Sequence, residues 1–561
     1  MGRVCQMPVG PVVLALAFAG CSSDKAASPG SGGTSSAAGS VGAAGSPGNP
    51  SGGSNPGAAG SGATAGLASG TSGSGGAPVG AAGSATGGSS TGGSSTGGTV
   101  GGGGASGAPS TSGITVKLDA TRQTIRGFGL NSALMPNEKT IPIDTLYGTT
   151  GTDGIGLSIL RVGMNTNGTL TGKYIAEAKA KGAKVIGSTW SPPANCKSNG
   201  KTTQGGYLLE TCFDSWAKTI ADFAKAQGLY AMSIANESDF ASCAAKGPPC
   251  TDDYDTTTYT AKQMVAWVKV AGKKIKEVSP STLVIAPEAS EWIHAWSNAS
   301  ATGSLVAAHP QSSDPLNCGC YSNTPTETGC AQTCLDGNGY DYGHWLWKDQ
   351  DAWKSFDIFG VHEYDSQIAY AWPADVNGGK RDKEVWQTEM SGVKHWPEQG
   401  PSTDINNGVA VAGWIHSALT VGEASAWLFW WYEAYFQDDN EGLALTKGGS
   451  TIAKRFYALG NYSKFVRPDY VAVDVTGNSS TDVLLSAYKG ADGTVVVVAI
   501  NKGTAAATVP IAIAGGTAPA SMTPNVTSAT ENLKAGTAVP VTGGSFMASL
   551  PSKTITTFVG K

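Results

Sequence analysis

The chain has 561 residues, with 37 Lys+Arg against 42 Asp+Glu and a formal net charge of −5. That balance argues against nucleic acid or an anionic membrane surface as a partner and fits a neutral ligand. It holds 15 Trp, 17 Tyr and 13 Phe, and all but Phe18 lie at or beyond Phe128. Aromatics crowded into a chain of modest charge suit stacking on sugars, although large cores use the same residues.

The N-terminus reads as an export signal. Arg3 precedes an apolar run from Val9 to Ala19, too short to span a membrane, and the run ends in Phe18-Ala-Gly-Cys21. This ending resembles a bacterial lipobox, with Phe18 where Leu is usual, so Cys21 is expected to carry lipid; ordinary secretion is the alternative. A cell-surface or secreted location follows. Cysteine usage agrees with an oxidising compartment. Beyond Cys5 and Cys21 stand Cys196, Cys212, Cys243, Cys250, Cys318, Cys320, Cys330 and Cys334. The simplest local pairs are Cys196 with Cys212 and Cys243 with Cys250. The last four also have the spacing of a zinc knot, a weaker reading in an exported chain.

From Ser22 to Gly113 the chain is Gly, Ser, Ala, Thr and Pro with almost nothing else, and no charge occurs from Ala26 to Val116. Such a segment cannot bury enough apolar surface to offset its ordering entropy, so residues 22–113 are expected to be a flexible tether. A Gly-rich coil of about 92 residues has a root-mean-square span on the order of 50 Å.

After Ile114 the texture changes. Ile114-Thr-Val-Lys-Leu118 alternates as an edge strand over 114–121. Strand-like runs then follow at Arg126–Asn131, Leu157–Val162, Lys184–Trp190, Tyr230–Asn236, Thr282–Glu288, Phe356–Tyr364, Glu384–Glu389 and Ser425–Trp431. Helix-length stretches separate them, among them Lys173–Lys181, Phe213–Gln227, Thr260–Val278 and Val409–Val421. This alternation predicts a (β/α)8 TIM barrel over 122–467. A doubly wound open sheet is the rival, but Gly127-Phe-Gly129 lacks the third glycine of a phosphate turn. From about Pro468 short strands alternate with Gly/Asn/Thr turns, at Val471–Val475, Val483–Tyr488, Thr494–Ile500 and Thr554–Val559. They predict a β-sandwich side domain over 468–561, joined by the early strand. Without tryptophan, that domain reads as a structural companion.

Two barrel strands end in carboxylates, Glu237 after Ser233-Ile-Ala-Asn236 and Glu389 after Trp386-Gln-Thr388. The C-terminal tips of barrel strands are where such folds keep their chemistry. Two glutamates there are the minimum for cleaving a glycosidic bond with acid/base and nucleophile roles. Taken singly, either is equally a solvated residue past a strand end.

Several motifs in order resemble glycoside hydrolase family 30, whose members are retaining (β/α)8 hydrolases with a fused β-sandwich. They are Gln123-Thr-Ile-Arg-Gly-Phe-Gly129, Leu157–Val162, Gly187-Ser-Thr-Trp-Ser-Pro-Pro193, Ser233–Glu237, Trp386–Glu389 and Gly460-Asn-Tyr-Ser-Lys-Phe-Val-Arg-Pro468. The resemblance implies Glu237 as general acid/base and Glu389 as nucleophile, with Asn236 on the sugar 2-hydroxyl. Glu237 is then expected to be raised by burial and by the charge of Glu389. Arg161 is expected to hold Glu389 ionised, or else to pack the barrel. Trp190 and Trp431 would floor the subsites or serve as core. His362 and Tyr364 would steady Glu389 or touch sugar, and Glu288 would orient the others. Glu363 is the weakest candidate.

The departures concern substrate. Ala235-Asn-Glu-Ser238 replaces the usual Gln-Asn-Glu-Pro, and Met390-Ser-Gly follows the nucleophile. Members that cut glucuronoxylan use an arginine soon after strand eight to grip the acidic branch, whereas Trp431–Asp439 offers acids and no arginine. The reading is a retaining endo-β-glycanase acting on plant cell-wall xylan, monomeric, with no metal or other cofactor. Asp336–Asp341 reads as a polar turn and not a calcium loop. The alternatives are a β-1,6-glucanase or β-1,6-galactanase of the same family, and a non-catalytic carbohydrate-binding lipoprotein.

Overall fold

The computed structural model describes residues 113–135, 141–151, 154–240, 254–296, 340–364, 369–392, 403–433, 442–445 and 452–561. The leader, Cys21, the Gly/Ser-rich stretch, Cys243, Cys250, the four later cysteines, most of Asp336–Asp341 and the acidic run 434–439 lie outside them.

Strand β1 covers Ile114–Thr124. The barrel strands are β2 (Gly127–Asn131), β3 (Ile159–Met164), β4 (Lys184–Thr189), β5 (Ala231–Ser233), β6 (Leu283–Ala289), β7 (Ile358–His362), β8 (Glu384–Glu389) and β9 (Ala426–Phe429). Each pairs in parallel with the next, and β9 pairs back to β2 through Ala426↔Gly127, so the sheet closes. All eight predicted barrel strands are present.

Alternation within the strands sorts the side chains. Ile159, Ile186, Ala231, Ile285, Ile358, Trp386, Ala426 and Leu428 form one cluster filling the barrel interior. Residues two positions further along share that interior face, which is how Arg161 and Ser188 come to lie inside the barrel with no exposed surface. The outer layer follows the other period. Helix Phe213–Gln227 buries Trp216, Ala217, Ile220, Ala221, Phe223 and Ala224, a stripe at three- and four-residue spacing, and stops at Gly228 in the left-handed conformation (φ 56°). Helix Ala261–Val278 packs beside it and starts with a capping box between Thr260 and Gln263. No helix among the described residues is long and apolar enough to cross a membrane.

The sandwich strands are β10 (Val471–Thr476), β11 (Val483–Lys489), β12 (Val495–Asn501), β13 (Ala507–Ala514), β14 (Ser521–Thr527), β15 (Ser545–Leu550) and β16 (Thr554–Gly560). Strand β1 is not an edge, as its alternation led us to expect. It pairs antiparallel with β10 and parallel with β13, so it lies inside the sheet. Alternation reports that one face is buried and does not tell whether both edges are paired.

Strand β12 explains why its valines run without a polar break. Val495, Val497 and Ala499 belong to the sandwich core, while Val496, Val498 and Ile500 belong to the large core shared with the barrel. Both faces of one strand are buried, one in each domain. On the barrel side, helix Ile405–Thr420 packs against β11, β12 and β16, and helix Lys454–Ser463 against β14 and β16. There Asn461 is fully buried: its Nδ2 donates to Thr527 Oγ1 (2.6 Å), and it accepts from Thr557 Oγ1 on its backbone oxygen (2.7 Å) and on Oδ1 (3.1 Å).

Candidate active site

The polar residues at the strand tips converge on Arg161. Its guanidinium donates to Glu389 Oε2 (2.7 Å) and to Asn236 Oδ1, and lies 3.3 Å from Glu288 Oε2. Its carbon sits 5.0 Å from the ring centre of Trp190 and 6.0 Å from that of Trp430. A guanidinium with no exposed surface must find its partners inside the protein, and three strand tips supply them.

Glu237 and Glu389 are also nearly sealed, at 2% and 3% exposure. One carboxylate oxygen of each and a ring nitrogen of His362 all lie within 4.8 Å of one another. Glu237 accepts from Tyr254 Oη at Oε2 (3.0 Å), and His362 Nδ1 is 3.3 Å from its Oε1. Glu389 accepts from Tyr364 Oη at Oε1 (3.1 Å) as well as from Arg161. Glu288 accepts from Ser188 Oγ (2.6 Å) and faces His362 Nε2 at 3.9 Å. Glu237 (φ 44°) and Glu288 (φ 58°) both occupy the left-handed region, a backbone cost that proteins keep at functional sites.

The charges can be counted. Burial pulls His362 down, but Glu389, Glu237 and Glu288 outweigh it and push the imidazole up to about 9. Burial pushes Glu288 up, yet Arg161, His362 and Ser188 hold it well below the usual carboxylate range. Burial raises Glu389, aided by Glu237 and Glu288 and opposed by His362 and Arg161. Near neutral pH two cations therefore face three carboxyl groups. The upward shift that burial causes falls on Glu389.

The trio Glu237, His362 and Glu389 also offers a donor set of the kind that holds a metal ion. His362 is pushed up to about 9 and Arg161 stands on Glu389 beside it, so a cation entering there must displace the imidazole proton and meet a neighbouring guanidinium.

Each predicted residue can now be placed. Arg161, Asn236, Glu237, Glu288, His362, Tyr364 and Glu389 form one connected network, with Trp190 over its guanidinium. Trp431 lies one ring further out: it stacks on Trp430 at 5.1 Å and donates from Nε1 to Ala133 O (2.9 Å). Glu363 stays outside the network. It is fully buried, accepts from Trp427 Nε1 (3.1 Å), and burial pushes it up to about 8.

Sequence reasoning missed Tyr254, Trp430 and Ser188, and a buried group in which Asp239 accepts from Ser290 N and Oγ and pairs with His294 Nδ1 at 2.6 Å. Trp430 and Ser188 had a signal, since they stand beside or within strands already marked. Tyr254 lies in a polar loop with no periodicity and had none. Of the cysteines, Cys196 and Cys212 are disulfide-bonded, as their spacing led us to expect.

Comparison with known proteins agrees with this architecture. Residues 471–558 match the family model described as the glycosyl hydrolase family 30 beta sandwich domain. Glucuronoxylanase XynC of Bacillus subtilis (strain 168) is 28% identical over 472 residues, covering 80% of this chain and 92% of that protein. The glycoside hydrolase family 30 subfamily 8 xylanase Xyn30A of Clostridium acetobutylicum matches at 28% identity with a TM-score of 0.60, over 80% of this chain and 100% of that one. A family 30 endoxylanase of Clostridium papyrosolvens C71 matches at 27% identity and a TM-score of 0.58, with the same coverage. The chain is a glycoside hydrolase whose sequence, barrel and sandwich are similar to those of family 30 members.

Proposed function

We propose that the chain is an exported retaining endo-β-glycanase that cuts xylan by double displacement, with Glu389 as nucleophile and Glu237 as acid/base. The observation that carries this reading is the approach of the two carboxylates to within 4.8 Å. Retaining glycosidases keep their carboxyl groups about 5–5.5 Å apart, whereas inverting enzymes leave room for a water between them.

In the first step a Glu389 oxygen attacks the anomeric carbon as the bond to the leaving sugar oxygen breaks. Glu237 gives its proton to that oxygen, and a glycosyl ester forms on Glu389. In the second step Glu237 takes a proton from water, the resulting hydroxide adds to the anomeric carbon, and Glu389 leaves as carboxylate. Arg161 and Tyr364 both donate to Glu389, which favours the anion that the nucleophile role needs. Arg161 also takes the Asn236 oxygen, which fixes the carboxamide that we assign to the sugar 2-hydroxyl. The Trp190, Trp430 and Trp431 rings supply flat apolar surface beside this network, as sugar faces require.

Xylan is the substrate on which the similar relatives are named, and the absence of arginine from Trp431–Asp439 leads us to propose that an acidic branch is not required. The test is reducing-end release by residues 114–561 from glucuronoxylan, unbranched xylan and β-1,6-glucan. Release from both xylans is expected. Release from β-1,6-glucan alone would move the substrate and keep the mechanism, and silence on all three would favour a sugar-binding protein. Glu389→Gln is expected to lower turnover by at least about 10³-fold with folding intact, and retained activity would refute the nucleophile assignment.

A further inference from the structure

We infer that the loop closed by the Cys196–Cys212 disulfide positions Glu237 for proton transfer, acting through Lys197 and the segment Tyr254–Tyr259. The inference rests on the reading of Glu237 as acid/base. Tyr254 is the one partner of that carboxyl described above that comes from no barrel strand. Its hydroxyl donates to Glu237 Oε2 (3.0 Å), and its ring stacks on Phe240 at 6.2 Å and 22°. Burial, then the charge of Glu237, raises the phenol well above its usual value, so it stays a donor across the working range. With His362 at Oε1, Tyr254 fixes the rotation of the carboxyl.

The segment that carries Tyr254 is laced to the disulfide loop. Thr203 and Asp255 form a β-bridge, Thr256 N donates to Thr202 O (3.0 Å), Gly205 N to Thr256 Oγ1 (2.9 Å) and Thr258 N to Gly206 O (3.0 Å). At its far end Tyr259 N donates to Ser238 O (2.8 Å), the residue after Glu237. Inside the loop, Lys197 is only 3% exposed, and its ammonium donates to Thr256 O and to Ser191 Oγ (3.3 Å), next to Trp190. The loop is itself a hairpin: Lys197 bridges Leu208, Leu209 N donates to Cys196 O, and the disulfide closes its base. One cross-linked loop therefore ties the tip of strand β4 to the residue that holds the proposed proton donor. Lys197 and Tyr254 are positioning residues in this scheme.

The test separates proton donation from everything else. Leaving as 2,4-dinitrophenolate needs no proton, whereas leaving as a sugar does. We would measure kcat/KM on unbranched xylan and on 2,4-dinitrophenyl β-xylotrioside for wild type, Glu237→Gln, Tyr254→Phe, Lys197→Met and Cys196→Ala/Cys212→Ala. Circular dichroism melts would accompany each. Tyr254→Phe is expected to lose about tenfold on xylan and less than about twofold on the aryl substrate, a fraction of a full general-acid contribution. Lys197→Met and the double cysteine variant are expected to show the same selective loss while keeping a cooperative melt. Equal losses on both substrates, or no loss on either, for Tyr254→Phe would overturn the inference. A selective loss for Tyr254→Phe that the well-folded cysteine variant does not share would overturn the role of the disulfide loop. Wild type silent on both substrates, or a Glu237→Gln variant without the selective loss, would instead overturn the reading beneath it.

Discussion

Replacing Glu363 with Gln is expected to stabilise the protein at neutral and alkaline pH and to leave it unchanged near pH 4.5. Glu363 has no exposed surface, and its described hydrogen bond comes from Trp427 Nε1 at 3.1 Å. Burial pushes its carboxyl from the ordinary glutamate value of 4.5 up to about 8. The sign follows from proton counting. Between those two values the unfolded chain has released the proton and the folded chain still holds it, so raising pH favours the unfolded state. Each pH unit in that window costs about 1.4 kcal/mol, which puts the difference between wild type and Glu363→Gln on the order of 4 kcal/mol at pH 7.5. The amide keeps an acceptor for Trp427. Its NH2 takes the place of Glu363 Oε1, which already lacks a partner among the described residues, so the unpaired position is the same and only one N–H is added. Guanidinium unfolding of both proteins from pH 4.5 to 8 gives the difference directly, since contributions from all other groups cancel. Two stability curves that run parallel across that range would refute the reasoning.

Arg161→Met is expected to cost about 3–5 kcal/mol and at least about a hundredfold in kcat, because it leaves Glu288 and Glu389 as buried anions without their shared cation; a melt and a turnover measurement check both, and near-wild-type values of either would contradict the charge count. Asn461→Ala is expected to destabilise by about 2 kcal/mol, since it removes the buried donor to Thr527 Oγ1 and one of the two acceptors of the Thr557 hydroxyl in the seam between barrel and sandwich. A loss under about 1 kcal/mol in chemical denaturation would show that this seam does not depend on Asn461.

The barrel was legible because its signal is local and repeated. Strand β8 could be bounded at Glu384 and Glu389 from the sequence since a Gly/Lys/Asp turn precedes it and polarity breaks after it. The network around Arg161 was legible for a related reason: alternation fixes which residue faces the interior once Ile159 is known to. What failed was information carried by contacts distant in the chain. Trp430 and Trp431 are adjacent aromatics, and only the packing against Arg161 and Ala133 separates their positions. Tyr254 reaches Glu237 because a loop more than forty residues upstream grips its neighbours, and no pattern around Tyr254 encodes that. The upward shift on Glu389 comes from burial set against the balance of four other charged groups, so neighbours in sequence could not reveal it.

Strand β1 sets the order in which the molecule can be assembled. It is the first strand among the described residues, yet both of its partners, Val471–Thr476 and Ala507–Ala514, come from much later in the chain. Every residue of the barrel is synthesised while this alternating apolar strand waits with two open edges. Closure of the sheet is thus the most non-local event in folding and the slowest by topology. Until the last strands are made, helix Ile405–Thr420 lacks β12 and helix Lys454–Ser463 lacks β14 and β16, the strands that pack on them. If the proposed export takes place before that closure, it avoids unravelling two domains that share one core.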